Sequence, residues 1–202
     1  MYFCVNTNVD KMKNMVKKAL LLVGLIFIGM QFYRPEKNIS DTYSTSFFEN
    51  ETNPPAPILT TLQSKCYDCH SNNTEYPWYN NIAPVSYWID AHVVDGKKHL
   101  NFSDWAQYST KKKDHKIEEL VEEVQEGEMP LKEYTWTHGS LTEDEKNGLI
   151  AWAERNRVIY QYALKYKNGQ TLKDAYSGVT VQVREGKVQL NSPHTMVLLE
   201  AL

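Results

Sequence analysis

The stretch KCYDCHSNN, residues 65–73, contains two of the three cysteines in the sequence and determines how the rest of the chain is interpreted. Cys66 and Cys69 lie three residues apart, and His70 follows directly. Residues three apart lie on one face of a helical turn, so both thiols can reach one porphyrin edge and form thioethers with its two vinyl groups. His70 can then bind the iron as its proximal ligand. The pattern C-x-x-C-H is typical of covalent haem attachment.

Other sites also use the C-x-x-C spacing. A zinc site needs four ligands, commonly two such pairs, and this sequence has one pair. A thioredoxin-like redox site requires a βαβ context, which the neighbouring residues do not predict. In an oxidising compartment the pair could instead close as a Cys66–Cys69 disulfide in a protein without haem. The sequence favours a single covalently bound haem c over these alternatives.

The composition predicts one domain with appendages. The chain has 202 residues, enough to bury one core of ordinary size. It carries 22 basic and 25 acidic residues, for a formal net charge of -3. A nucleic-acid-binding protein would show a clear excess of lysine and arginine, so no nucleic-acid partner is expected.

The amino-terminal residues 1–34 resemble an export element. Basic residues between positions 11 and 18 precede an apolar run over 19–30. This run is short for a membrane span and typical of a signal peptide. Phe32 and Tyr33 lengthen the apolar stretch, so an uncleaved membrane anchor is the alternative. Basic residues before such a run stay in the cytoplasm. We therefore expect the remainder of the chain to be periplasmic, either free or anchored in the cytoplasmic membrane.

The remaining chain divides into three predicted parts. Residues 35–53 are interpreted as a polar linker, and residues 54–165 as the haem domain. Within this domain, Thr142 and Glu145 form a capping box that predicts the start of the last helix. Residues 166–202 form an extension of unknown role, in which alternating apolar and polar residues around Glu185 and Gly186 predict a β-hairpin.

Met129 is the first candidate for the distal iron ligand. It lies in EGEMP, residues 126–130, after a helix whose apolar side chains recur at helical spacing. Gly127 ends that helix, and Pro130 prevents its return. Position alone leaves two roles open for the thioether, iron ligand or filler of a core gap. The haem motif favours the ligand.

His92 is the alternative distal ligand. The stretch APVSYWIDAHVVDG, residues 83–96, predicts a helix that starts at Pro84 and ends at Gly96. His92 lies on the apolar face of this helix and could bind iron. A histidine in such a position is more often hydrogen-bonded at the edge of a core.

Three stretches resemble a known family. They are CYDCHSNNTEYPWYNNIAPVSYWIDAHVVDGKKHLNFSDW at 66–105, EGEMPLKEYTWTH at 126–138 and LTEDEKNGLIAWAE at 141–154. Together they are similar to the small c-type cytochrome-like haem-binding domains of Bacteroidota and their relatives, over residues 55–156. The resemblance implies an exported, all-α, cytochrome c-like domain around one haem, and it favours Met129 as the distal ligand.

The expected activity is transfer of single electrons rather than enzymatic turnover. If His70 and Met129 fill both axial positions, the iron keeps no open site for oxygen or peroxide chemistry. The alternative is a haem-based enzyme or a small-gas or redox sensor, in which the distal ligand is labile. The sequence does not identify the redox partner proteins.

Overall fold

The computed structural model describes residues 3–40, 44–166, 169–174, 178, 180–184 and 199–201. These residues are mainly helical, which confirms the all-α prediction. The helices are α1 (Phe3–Met30), α2 (Ser46–Thr52), α3 (Ala56–Lys65), α4 (Tyr67–His70), α5 (Val85–His99), α6 (Thr110–Glu126), α7 (Lys132–His138) and α8 (Glu143–Lys165). Two 3-10 turns, Trp78–Asn81 and Phe102–Gln107, flank α5, and three short strands follow α8: β1 (Thr171–Asp174), β2 (Thr180–Gln182) and β3 (Leu199–Ala201).

Helices α6 and α8 pack together and form the scaffold of the domain. The predicted capping box starts α8: Glu145 N donates to Thr142 Oγ1 at 3.2 Å, and Thr142 N donates to Glu145 Oε2 at 2.8 Å. Helix α6 ends at Gly127, whose φ of 79° is a left-handed conformation that favours glycine. Both predicted helix boundaries are confirmed.

Aromatic rings fill the centre of the core. The ring of Phe48 contacts those of Phe102, Trp105 and Trp152, at centroid distances of 4.5, 5.0 and 6.0 Å. All four side chains are buried. Rings of this size remove a large apolar area from water, so this cluster joins α2, α8 and the turn that follows α5.

Residues 35–53 contribute to this core, which the expectation of a polar linker misses. Phe48 is fully buried, and the carbonyl of Thr52 accepts a hydrogen bond from Trp152 Nε1 at 3.2 Å. Glu51 forms a buried ion pair with Lys113 at 2.7 Å. The segment contains few apolar residues, and a single deeply buried ring gives no periodic signal in a sequence.

Helix α1 leaves the apolar side chains between Met12 and Ile28 exposed, and the residues that follow it attach it to the domain. Gln31 exchanges two hydrogen bonds with the backbone of Ala83, at 3.0 and 3.1 Å. Arg34 donates to the carbonyl of Asn81 at 2.7 Å. No helix in the described part of the chain is long and apolar enough to be a candidate membrane span. The assignment of residues 1–34 as a signal peptide or membrane anchor stays a prediction.

The described residues of the carboxy-terminal extension form a small antiparallel sheet with strand order β2-β1-β3. Strand β2 pairs with the upstream strand β1, with Leu172 opposite Val181. The sequence instead predicts a hairpin in which the residues of β2 pair with a strand that follows Gly186. Its turn at Glu185 and Gly186 lies outside the described residues.

Replacing Phe48 with alanine tests whether α2 belongs to the core. We expect Phe48→Ala to lower the free energy of unfolding by about 3–5 kcal/mol, because it leaves a cavity among packed rings. Phe47→Ala is the matched control: its ring is 49% exposed, and we expect a loss of about 1 kcal/mol or less. Urea unfolding of the full chain measures both. Equal losses would contradict the core position of α2.

Candidate functional site

The two cysteines of the motif lie on a tight turn between α3 and α4. Cys66 ends α3, since its N–H donates to Leu62 O at 2.9 Å, and it begins α4. The carbonyl of Cys66 then accepts from Cys69 N at 3.2 Å and from His70 N at 3.0 Å. These bonds hold the three residues of the motif on one helical turn, as the spacing predicts.

Both thiols are partly buried, free and uncharged at neutral pH. Burial and the neighbouring Cys69 raise the pKa of Cys66 to about 12. Burial and the nearby Asp68 raise the pKa of Cys69 to about 11. Reactive redox cysteines and zinc ligands depend on the thiolate form, which a lowered pKa favours. The surroundings of this pair therefore disfavour a thioredoxin-like or thiolate site.

His70 is held in the tautomer that an iron ligand requires. Its Nδ1 lies 2.9 Å from the carbonyl oxygen of Leu100. A carbonyl can only accept a hydrogen bond, so Nδ1 must carry the proton and Nε2 keeps its lone pair. Burial also lowers the pKa of His70, which favours the neutral imidazole. Metal-binding histidines commonly have their second nitrogen bonded to a carbonyl or carboxylate in this way.

Gly96 brings the end of α5 close enough for this hydrogen bond. A Cβ atom at Gly96 would lie 2.8 Å from the carbonyl oxygen of Cys69 and 3.2 Å from its Cβ. Only glycine permits such an approach. Leu100 is the residue after the end of α5, and its N–H donates to Gly96 O at 2.9 Å. The predicted end of the helix at Gly96 is wrong, because α5 continues to His99 and uses this glycine for packing.

The other side of the motif is held by Asp68. Its Oδ1 accepts from the backbone N–H of Glu75 at 2.9 Å, and its carbonyl accepts from Thr74 Oγ1 at 2.5 Å. Its Oδ2 accepts from the hydroxyl of Tyr134, in α7, at 2.8 Å. Burial and the carboxylate of Asp68 both raise the pKa of Tyr134. Sequence reasoning missed Asp68 and Tyr134, since no local pattern pairs residues so far apart.

Met129 lies at the edge of the same core as the motif. Its N–H donates to Glu123 O at 3.1 Å, just beyond the end of α6. Its side chain is partly buried and packs against the hydrophobic cluster that also receives Cys66. The structure thus places both residues at the boundary of one core. The role of Met129 as distal ligand stays a prediction.

A family model described as a haem-binding domain matches residues 25–155, more than half of the chain. The chain belongs to the haem-binding domain family. No curated protein and no solved structure matches it. The match confirms the prediction that the domain binds haem, whereas covalent attachment and the iron ligands stay predictions. The matched range includes residues 35–53 and every candidate site residue.

The side chains of this haem-binding domain fit a metal that arrives inside a porphyrin. A porphyrin supplies four nitrogen ligands itself and needs protein donors only at its axial positions. His70 offers one such donor with a free Nε2, next to two uncharged thiols on the same turn.

His92 lies on α5, one turn before Gly96, so helical geometry places both residues on one face of the helix. Its ring meets that of Trp88 edge to face, at a centroid distance of 4.4 Å. The side chain is partly buried. His92 therefore keeps its place as the alternative distal ligand of the haem-binding domain.

The close packing of Gly96 gives a testable consequence. We expect Gly96→Ala to lower the free energy of unfolding by about 1–3 kcal/mol, because the methyl group must displace the backbone of Cys69. The same shift should weaken the hydrogen bond at His70 Nδ1, which NMR of the labelled imidazole would detect. Gly148→Ala is the control, since its Cβ would meet a side-chain atom, Ile58 Cδ1, at 3.2 Å rather than a backbone atom. That change should stay within about 1 kcal/mol of zero. Equal effects would contradict the role of Gly96.

The lowered pKa of His70 predicts a pH dependence of stability in the haem-free chain. An unfolded histidine titrates near about 6.5, so below that pH the unfolded state binds more protons than the folded state. This contribution to the free energy of unfolding is complete above about pH 6.5. It is lost as the pH falls towards and through the lowered pKa. Urea unfolding at about pH 5.5 and about pH 7.5 should show a smaller difference for His70→Gln than for the natural sequence. An unchanged difference would contradict the prediction.

Proposed function

We propose that this chain is an exported, mono-haem, c-type cytochrome-like protein that transfers single electrons. The observation that carries the proposal is the turn 66–70. It presents two uncharged thiols and, directly after them, an imidazole whose Nδ1 is bonded to the Leu100 carbonyl. Family membership supports the haem itself. The covalent link and the electron transfer are inferred from the residues.

Attachment requires the chemistry of the two thiols. Each S–H of Cys66 and Cys69 would add across one vinyl double bond, forming a carbon–sulfur bond while the hydrogen goes to the other vinyl carbon. This addition needs no oxidant. The partly buried, protonated thiols are suited to a thioether product, which would keep both sulfurs uncharged at the edge of the core.

His70 and Met129 would supply the two axial donors. Bound haem contributes an iron that exchanges one electron. With both donors bound, the iron would have a raised reduction potential and would lack a free position for oxygen or peroxide. The Leu100 carbonyl would keep the imidazole oriented towards the iron, and burial would keep it neutral.

Export is proposed from the amino-terminal residues. Four lysines precede the apolar run, and the side chains of that run are exposed along α1. An exported chain would place Cys66 and Cys69 in the periplasm, where c-type haem attachment takes place. The association of residues 1–34 with the cytoplasmic membrane is part of this proposal, and the redox partners would be other proteins.

The experiment expresses the full chain in a host with a periplasmic haem-ligation system. Haem should stay with the polypeptide after denaturation, and it should be lost from the double variant Cys66→Ser, Cys69→Ser. The oxidised protein should show the weak long-wavelength absorption band of sulfur-ligated iron. Met129→Ala should abolish this band, because it removes the thioether, whereas the control His92→Ala should keep it.

Three results would contradict parts of the proposal. A band that persists in Met129→Ala would exclude Met129 as the ligand. A natural protein that lacks the band, and whose absorption spectrum changes in His92→Ala but not in Met129→Ala, would assign the distal position to His92. A natural protein that lacks the band and binds small gases directly would favour the alternative, a haem-based enzyme or sensor with a labile distal ligand.

A further inference from the structure

The segment that carries Met129, residues 127–139, is attached to the haem motif by two side chains. The hydroxyl of Tyr134 donates to Asp68 Oδ2 at 2.8 Å. The hydroxyl oxygen of Tyr134 also lies 3.1 Å from the carbonyl oxygen of Ser64. Lys65 donates its ammonium to the carbonyls of His138 and Gly139, the latter at 3.0 Å. Ser64, Lys65 and Asp68 surround Cys66 in sequence. Both ties therefore end at residues 64–70, which we call the haem-attachment turn.

Met129 packs against the core, but burial contributes little to holding α7, which forms most of the rest of this segment. Helix α7 has no buried residue, and Trp136 at its centre is 72% exposed. Among the described residues, the remaining side-chain hydrogen bond from α7 to another element is an exposed one, which Tyr79 donates to Thr137 Oγ1 at 3.2 Å. A segment with few buried apolar contacts opens locally at a low cost in free energy. The bonds of Tyr134 and Lys65 therefore account for much of the cost of opening residues 127–139.

The chemistry of both ties makes them strong for their position. A hydrogen bond to a charged carboxylate is stronger than one between neutral groups, and Tyr134 is partly buried against Asp68. The carbonyls at the end of α7 have no partner within the helix and carry its negative partial charge. The ammonium of Lys65 satisfies two acceptors at this helix end.

We propose that Tyr134 and Lys65 are positioning residues that hold Met129 at the iron by tying residues 127–139 to the haem-attachment turn. This inference rests on the proposed function, in which Met129 is the distal ligand. An external ligand such as imidazole can bind the iron only while Met129 is displaced. The apparent affinity of the iron for imidazole is therefore proportional to the fraction of molecules in which residues 127–139 are open.

The test is an imidazole titration of the oxidised, haem-loaded full chain. Tyr134→Phe should bind imidazole at least about 10-fold more tightly than the natural sequence, a factor equivalent to about 1.4 kcal/mol. The matched control is Tyr160→Phe. Tyr160 also donates to a carboxylate, Glu51 Oε1, at 2.8 Å, but it lies in α8 away from the segment. The control should change the imidazole affinity less than about 2-fold, even though it also removes a bond of the same kind.

A second variant and a second measurement keep the test independent of folding and of haem loading. Lys65→Met keeps the length of the side chain and removes the donor, so it should also tighten imidazole binding. In the haem-free chain, the amide of Gly139, which is bonded to Thr135 O at 2.9 Å, should exchange with solvent faster in Tyr134→Phe and Lys65→Met. Tyr160→Phe should leave its exchange rate unchanged.

The outcomes separate the two proposals. If Met129 ligates iron in the natural protein but Tyr134→Phe and Lys65→Met bind imidazole with unchanged affinity, the positioning role is wrong and the proposed function stands. If the natural protein shows no Met129 ligation, the positioning role is wrong, and so is the assignment of Met129 within the proposed function, whereas covalent haem attachment is tested separately by the cysteine variants. Equal tightening in Tyr134→Phe and Tyr160→Phe would indicate a general loss of stability and would also overturn the positioning role.

Discussion

The hydrogen bond between His70 Nδ1 and the Leu100 carbonyl connects the haem motif to the rest of the fold. Because the carbonyl can only accept, it fixes which nitrogen carries the proton and leaves Nε2 as a donor for a metal. The bond depends on the end of α5, which reaches the motif only because Gly96 has no side chain to meet Cys69. The orientation of one imidazole thus rests on the packing of two helices.

The scaffold around this bond is built from distant parts of the chain. Helices α6 and α8 pack together, and Phe48 of α2 contacts both α8 and the turn 102–107, which begins two residues after Leu100. Residues before the motif therefore help to hold residues after it. On the opposite side, Asp68 and Lys65 connect the motif to α7. The turn that carries the motif is therefore held by contacts of two kinds, apolar packing and polar bonds to α7.

The sequence predicts the local features and misses the long-range ones. The motif at 66–70, the capping box at Thr142 and the helix end at Gly127 follow from spacing within a few residues, and the structure shows the predicted conformation at each. The burial of Phe48 depends on rings far along the chain, so residues 35–53 resemble a linker. Gly96 resembles a helix end because close packing and termination both use glycine. Tyr134 has no local pattern at all, since its partner Asp68 is distant in sequence.

Mass spectrometry of tryptic peptides from the exported protein tests the central claim most directly. Trypsin cleaves after Lys65 and after Lys97, so one peptide, residues 66–97, contains Cys66, Cys69 and His70. The account predicts that this peptide carries the mass of one haem, with both cysteines resistant to alkylation. A peptide 66–97 with two alkylatable thiols, or with a Cys66–Cys69 disulfide and no haem, would contradict it.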